Sequence, residues 1–184
     1  MFFEKVKVSG NAVPMFEKLN KLFHHPLIRP KLNLFLYICN IVFINYNGYM
    51  INKVVIAGSS SLKEEMRKWA DYWNNKPDYS VIDWPKPIEK QKLKNLYPEN
   101  FKKFFENITL ADIVFVANED KKGIEGYVGA ETFAELTFAV SQNLLFNKNI
   151  DILLAKMPSN KIQSFDEINL WLEIGWIKLF DSKR

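Results

Sequence analysis

The segment Ala111–Ala139, ADIVFVANEDKKGIEGYVGAETFAELTFA, constrains the fold of this chain more than any other. A short β-branched apolar run, Asp112–Ala117, is followed by a charged loop containing Gly123, Gly126 and Gly129. A helical pattern over Thr132–Leu145 comes next. A strand that feeds a helix through a glycine-containing loop belongs to a parallel sheet, and ligands of open α/β folds bind outside the carboxyl ends of such strands.

The same alternation runs through the chain from residue 53. Lys53–Ala57 (KVVIA) predicts a strand, and Gly58-Ser59-Ser60-Ser61 predicts a turn with a serine as helix N-cap. Leu62, Met66, Trp69, Ala70 and Trp73 recur at helical spacing, which places Trp69 and Trp73 in the core rather than in a ligand site. Tyr79–Asp83 predicts a second strand. Pro85, Pro87 and the lysine-rich stretch to Tyr97 read as a loop, with Phe101, Phe104, Phe105 and Ile108 marking a helix face beyond it. Ile150–Ala155 predicts a fourth strand, Phe165–Glu173 a helix and Gly175–Phe180 a last strand. The expected fold is therefore α/β, Rossmann-like or flavodoxin-like, with about five parallel strands in the order 2-1-3-4-5 and helices on both faces. That order sets the Gly58–Ser61 turn beside the Asn118–Gly129 loop.

Residues 1–49 do not fit this alternation. Pro14, Pro26 and Pro30 interrupt helices there, and the apolar run Leu32–Tyr46 contains Asn33, Asn40 and Asn45 and is too short for a membrane span of ~20 residues. Three readings stay open: an interfacial or partner-binding arm, a weak membrane anchor, or residues absent from the native product. We expect residues 1–49 to be an N-terminal extension, outside the native domain if the start is over-long, and the α/β domain to occupy 50–184. The whole formal charge of +4 lies in residues 1–49, where six Lys/Arg meet Glu4 and Glu17. The domain itself is neutral, so charge gives no reason to expect nucleic acid as a partner, and no membrane association is expected of it. The single cysteine, Cys39, suits a reducing, cytoplasmic compartment. One cysteine with the adjacent His24 and His25 makes no zinc-ligand set, so neither metal nor other cofactor is expected.

Candidate chemistry gathers at the carboxyl edge. Gly58, Ser59 and Ser60 lie where helix N-terminal amides and hydroxyls can hold a phosphate or a sugar hydroxyl, although the same turn reads as a simple helix cap. It has neither the GxGxxG fingerprint nor the P-loop pattern. The loop before the main helix, with three glycines, reads as a mobile loop that offers Tyr127 and Gly129 to a ligand, and its place at the switch point favours this over a plain surface connection. Trp84, beside Pro85 at the end of the second strand, is the best aromatic for the site edge. Lys86, Lys90, Lys92 and Lys94 read as a solvated face. Glu131 and Glu135 share a helix face: Glu131 suits the helix dipole, and Glu135, among Phe133, Ala134, Leu136 and Phe138, is placed for desolvation.

The arrangement KVVIAGS, ADIVFVA and GAETFAELTFAVSQ, spanning Lys53–Ala155, resembles the nucleoside 2-deoxyribosyltransferase family and its nucleotide N-hydrolase relatives. The most specific element is Glu135-Leu136 followed by Phe138-Ala139. The resemblance implies that Glu135 is a nucleophile that attacks C1′ of a deoxyribose, releases the base and forms a glycosyl-enzyme, which a second base or water resolves. It implies a nucleoside or nucleotide as ligand, Gly58-Ser59 in the sugar or phosphate loop, and a homo-oligomer. The chain departs from the family pattern at Val55 (commonly Tyr), Phe104 (Asp), Gly129 (Asp or Ser) and Thr137 (Gly). A binding or sensing module that keeps the scaffold without catalysis is the alternative.

Overall fold

In the computed structural model, which describes residues 51–181, strand β1 (Asn52–Gly58) is buried on both faces along Val54–Ala57. The expectations for residues 1–49 lie outside the described residues. A continuous apolar run without alternation is what a central parallel strand requires, since helices cover both its sides. Strand β3 (Ile113–Ala117), equally buried, pairs with β1 from Val54↔Ile113 to Gly58↔Ala117. Strands β2 (Tyr79–Asp83), β4 (Asp151–Leu154) and β5 (Lys178–Leu179) complete an all-parallel sheet in the order β2-β1-β3-β4-β5, as the sequence predicts. The last strand is shorter than expected, since only Lys178 and Leu179 pair with β4.

Alternate residues of the central strands feed two cores. Val54, Ile56, Ile113 and Phe115 pack with Met66, Ala70 and Trp73 of helix α1 (Lys63–Asn74) on one face. On the other face Val55, Ala57, Val114 and Val116 pack with three helices: α2 (Leu93–Leu110), α3 (Ala130–Phe146) and α4 (Phe165–Glu173). Trp73 is fully enclosed and Trp69 packs against Phe115, so both tryptophans are core residues, as their spacing predicts. Among the described residues no helix is long and apolar enough to cross a membrane.

Two local expectations need correction. No serine caps α1: its N-cap position is Leu62, without a side-chain cap bond. The Leu62 amide donates instead to the Ser59 carbonyl at 2.9 Å, closing a turn that holds the serines ahead of the helix. Helix α2 begins at Leu93, so Lys94–Tyr97 are helical rather than loop, and Pro98 lies inside the helix. Proline there forfeits one backbone bond near the helix start, a local cost that packing overrides. Tyr97, Phe101 and Phe105 form an i, i+4, i+8 aromatic ladder with centroid separations of 5.4 and 4.5 Å, continued by Phe138 of α3 at 4.6 Å.

Candidate functional site

The in-register ends of β1 and β3 bring the two expected loops together: Lys121 donates through Nζ to Ser59 Oγ at 2.6 Å. The loop after β3 is not a mobile connection but a fastened one. Fully buried Asn118 donates to the carbonyls of Lys156 (2.8 Å) and Gly126 (3.3 Å) and accepts from the Lys156 amide at 3.1 Å. Lys156 Nζ meets Glu119 at 3.1 Å and Asp120 at 3.2 Å, and Trp69 Nε1 donates to Glu119 at 2.7 Å. The Gly126 N–H, followed by Lys156, holds the Asp120 carboxyl below its usual range.

Beside this fastened loop, a cleft of about 430 Å³ opens at the carboxyl ends of β1 and β2. That is the size range of small-molecule sites. Its floor is Gly58, Ser60 and Ser61. Asp83, Trp84 and the Pro85–Ile88 segment form one wall, Tyr97, Asn100, Phe101 and Phe104 of α2 another, and Glu131 and Glu135 of α3 the third. The Lys86 ammonium lies 5.4 Å from the centroid of the Trp84 ring. A second hollow of about 390 Å³ lies at the opposite, amino end of the sheet, near Asn143, Lys148, Asp151 and Trp176; none of the expected site residues reaches it.

Glu135 dominates the electrostatics of the cleft. It is only 5% exposed, and its Oε2 is buried with no hydrogen-bond partner among the described residues. Burial, then the charges of Glu131 and Asp83, push its carboxyl up to about 9. Glu135 is therefore protonated at neutral pH. Desolvation produces this directly, since a carboxylate taken from water without a compensating donor is the disfavoured form. Glu131, exposed in the first turn of α3, hydrogen-bonds the Tyr97 hydroxyl. Burial, then the charge of Glu131 and its hydrogen bond, and then Glu135, raise the Tyr97 hydroxyl above its usual value. Asp83 is fixed in place: Asn107 Nδ2 donates to its Oδ2 at 2.8 Å, and the Trp84 amide to its Oδ1 at 2.9 Å.

Of the residues expected to form the site, Gly58, Ser60, Trp84, Glu131 and Glu135 line this one cleft. Ser59, Tyr127 and Gly129 do not. Ser59 lies within 3.1 Å of Ser61 and accepts from Lys121. Tyr127 packs against the core beneath the Lys121 ammonium, and its ring closes over Gly129, the N-cap of α3. Lys86, read as part of a solvated face, lines the cleft while remaining exposed. Glu106 lies on the exposed side of α2, 3.7 Å from Lys102. Asp83, Tyr97 and Asn100 were not foreseen. The signal for Asp83 was present, because it ends a strand at the ligand-binding edge.

No protein-family model matches this chain, and no curated protein matches it either. The functional reading rests on the cleft itself. Among the described residues no group of three or more His, Cys, Asp or Glu is arranged to hold a metal ion. What the arrangement offers is acid–base and nucleophilic chemistry by carboxyl groups beside an aromatic wall.

Proposed function

We propose that this protein binds a nucleoside or nucleotide in the Trp84–Glu135 cleft and cleaves its N-glycosidic bond, by hydrolysis or by transfer of the deoxyribosyl group, with Glu135 as nucleophile. One observation carries the reading: an almost fully buried carboxyl whose Oε2 has no partner faces a cleft at the carboxyl edge of a parallel sheet. A buried unsatisfied polar atom is costly, and a site that binds a polar ligand accounts for it. Trp84 supplies a face for the base, and Ser60, Ser61 and the Gly58 backbone supply polar groups for sugar or phosphate. The resemblance of Lys53–Ala155 to the deoxyribosyltransferase family supports the same assignment and extends it to a homo-oligomer. The single cysteine is consistent with action in the cytoplasm.

A second reading, nucleotide binding without turnover, is favoured by one feature: with its carboxyl raised to about 9 by burial, Glu135 is a neutral hydrogen-bond donor at neutral pH, not a nucleophile. Incubating the protein with 2′-deoxynucleosides and their 5′-monophosphates, and measuring free base, separates the two. Base release that disappears in Glu135→Ala is the expected result. Saturable binding without release supports the sensing module, and neither binding nor release removes the nucleotide assignment.

A further inference from the structure

We infer that Asp83, at the carboxyl end of β2, is the proton-handling partner of Glu135, delivering to the departing base the proton it needs and later accepting one from water. The inference rests on the glycosidic-cleavage reading above and adds a second catalytic residue to it. Breaking a C1′–N bond leaves an electron pair on the base, and a purine or pyrimidine departs readily only when a ring atom is protonated. On the α2 wall, Phe101 and Phe104 have no proton to give. Asp83 lies on the same cleft, and its charge is felt at Glu135. Its two oxygens are held by Asn107 Nδ2 at 2.8 Å and by the Trp84 amide at 2.9 Å, which orients the carboxyl next to the aromatic ring where the base would stack. The other titratable groups facing this space are Glu131, Tyr97, Lys86 and Lys103. Glu131 and Tyr97 are engaged with each other, and Lys86 and Lys103 are exposed.

The proton balance closes with this pair alone. The proton resides on Glu135, whose charged form burial disfavours, while both Asp83 oxygens accept hydrogen bonds, from Asn107 Nδ2 and from the Trp84 amide. When C1′ is seated against Glu135, the proton passes to Asp83. The Glu135 oxygen then bonds to C1′ as the C1′–N bond breaks, the electron pair goes to the base, and Asp83 protonates a ring nitrogen. In the second half, water adds to C1′ as the bond to Glu135 breaks. The proton of that water goes to Asp83 and returns to Glu135. The net change is nucleoside plus water giving base plus free sugar, with nothing oxidised or reduced.

The test compares 2′-deoxyguanosine and its 5′-monophosphate with their N7-methylated counterparts, whose cationic base leaves as a neutral molecule without being protonated. The full-length Asp83→Asn protein is expected to lose roughly 10²–10⁴-fold in cleavage of the unmethylated substrates, the usual range for a lost general acid. Its loss on the N7-methylated ones is expected to be clearly smaller, since their base needs no proton although Asp83 still takes one from Glu135 and later one from water. The two substrates are read in the same preparation, so misfolding would depress both rates alike, and Asp83→Glu should recover part of the selective loss. Equal loss on both substrates, or no loss on either, overturns the role of Asp83. The glycosidase reading survives that outcome if Glu135→Ala abolishes cleavage of both. A parent protein that cleaves neither substrate overturns the underlying reading together with this one.

Discussion

Asn118 and Lys156 are joined at two points, the Asn118 amide donating to the Lys156 carbonyl at 2.8 Å and accepting from the Lys156 N–H at 3.1 Å. With Asn118 fully buried, this pairing ties the end of β3 to the segment that follows β4. Asn118→Ala leaves the Lys156 N–H and the carbonyls of Lys156 and Gly126 without this partner. Each such group costs about 1–3 kcal/mol, so a loss of about 2–4 kcal/mol in unfolding free energy is expected by urea denaturation. A loss below about 0.5 kcal/mol, the scale of ordinary surface substitutions, would show that the pairing is not what holds this edge together.

Gly126 and Gly123 both have positive φ, at 56° and 75°, yet their surroundings differ. A Cβ on Gly126 would stand 2.6 Å from the Met157 carbonyl oxygen and 2.9 Å from Pro158 Cα, whereas nothing lies within 4 Å of one on Gly123. Gly123→Ala is expected to cost only the left-handed backbone penalty, about 1–2 kcal/mol. Gly126→Ala adds a clash with backbone that cannot swing aside, and a cost of about 3 kcal/mol or more is expected from strain and overpacking together. Equal thermal shifts for the two variants would contradict the packing described here.

The raised Glu135 carboxyl makes stability depend on pH in a definite direction. Unfolded, the group titrates near its ordinary 4.5; folded, at about 9. Between those values the folded state binds more protons, so stability falls as pH rises, at a slope approaching about 1.4 kcal/mol per pH unit across the interval. The contribution is fully present below pH of about 4.5 and gone above about 9. Glu135→Gln cannot ionise, so its unfolding free energy should lack this slope and exceed that of the parent at the alkaline end. Parallel pH profiles for parent and variant would exclude a protonated Glu135.

The strand order was legible because the apolar runs Lys53–Ala57 and Asp112–Ala117 lack alternation, which only a two-sided parallel sheet accommodates. The start of α2 was not legible: Pro85, Pro87 and the lysine-rich stretch read as loop up to Tyr97, and the stack of Tyr97, Phe101, Phe105 and Phe138 that supports the helix there is tertiary. That helix start is also why Tyr97 went unnoticed: read as loop, it had no reason to meet Glu131. Glu135 was legible as a carboxyl within an apolar helix face, and Trp84 as an aromatic at a strand end. Tyr127 and Gly129 were placed at the site by loop composition and by the loop's position at the switch point, neither of which reveals that the Tyr127 ring turns back over Gly129.

The charge of Glu131 is the second cause, after burial, of the raised Glu135 carboxyl, ahead of Asp83. One helical turn separates the two glutamates, so an ionised Glu131 opposes the appearance of a second negative charge at Glu135. Glu131→Gln removes that opposition and should move the Glu135 midpoint downward from about 9, read by carbon-13 NMR of the side-chain carboxyl. The alkaline end of the stability loss should move down with it, since the folded and unfolded values draw closer together. The same substitution removes a favourable interaction with the amino end of α3, a cost of about 0.3–1 kcal/mol that leaves the Glu135 midpoint untouched. Glu106→Gln is the matched control, because Glu106 is exposed beside Lys102 and does not line the cleft. It should leave the midpoint where it is. A Glu135 midpoint that ignores Glu131→Gln would mean burial alone sets it, and the two glutamates do not act as a coupled pair.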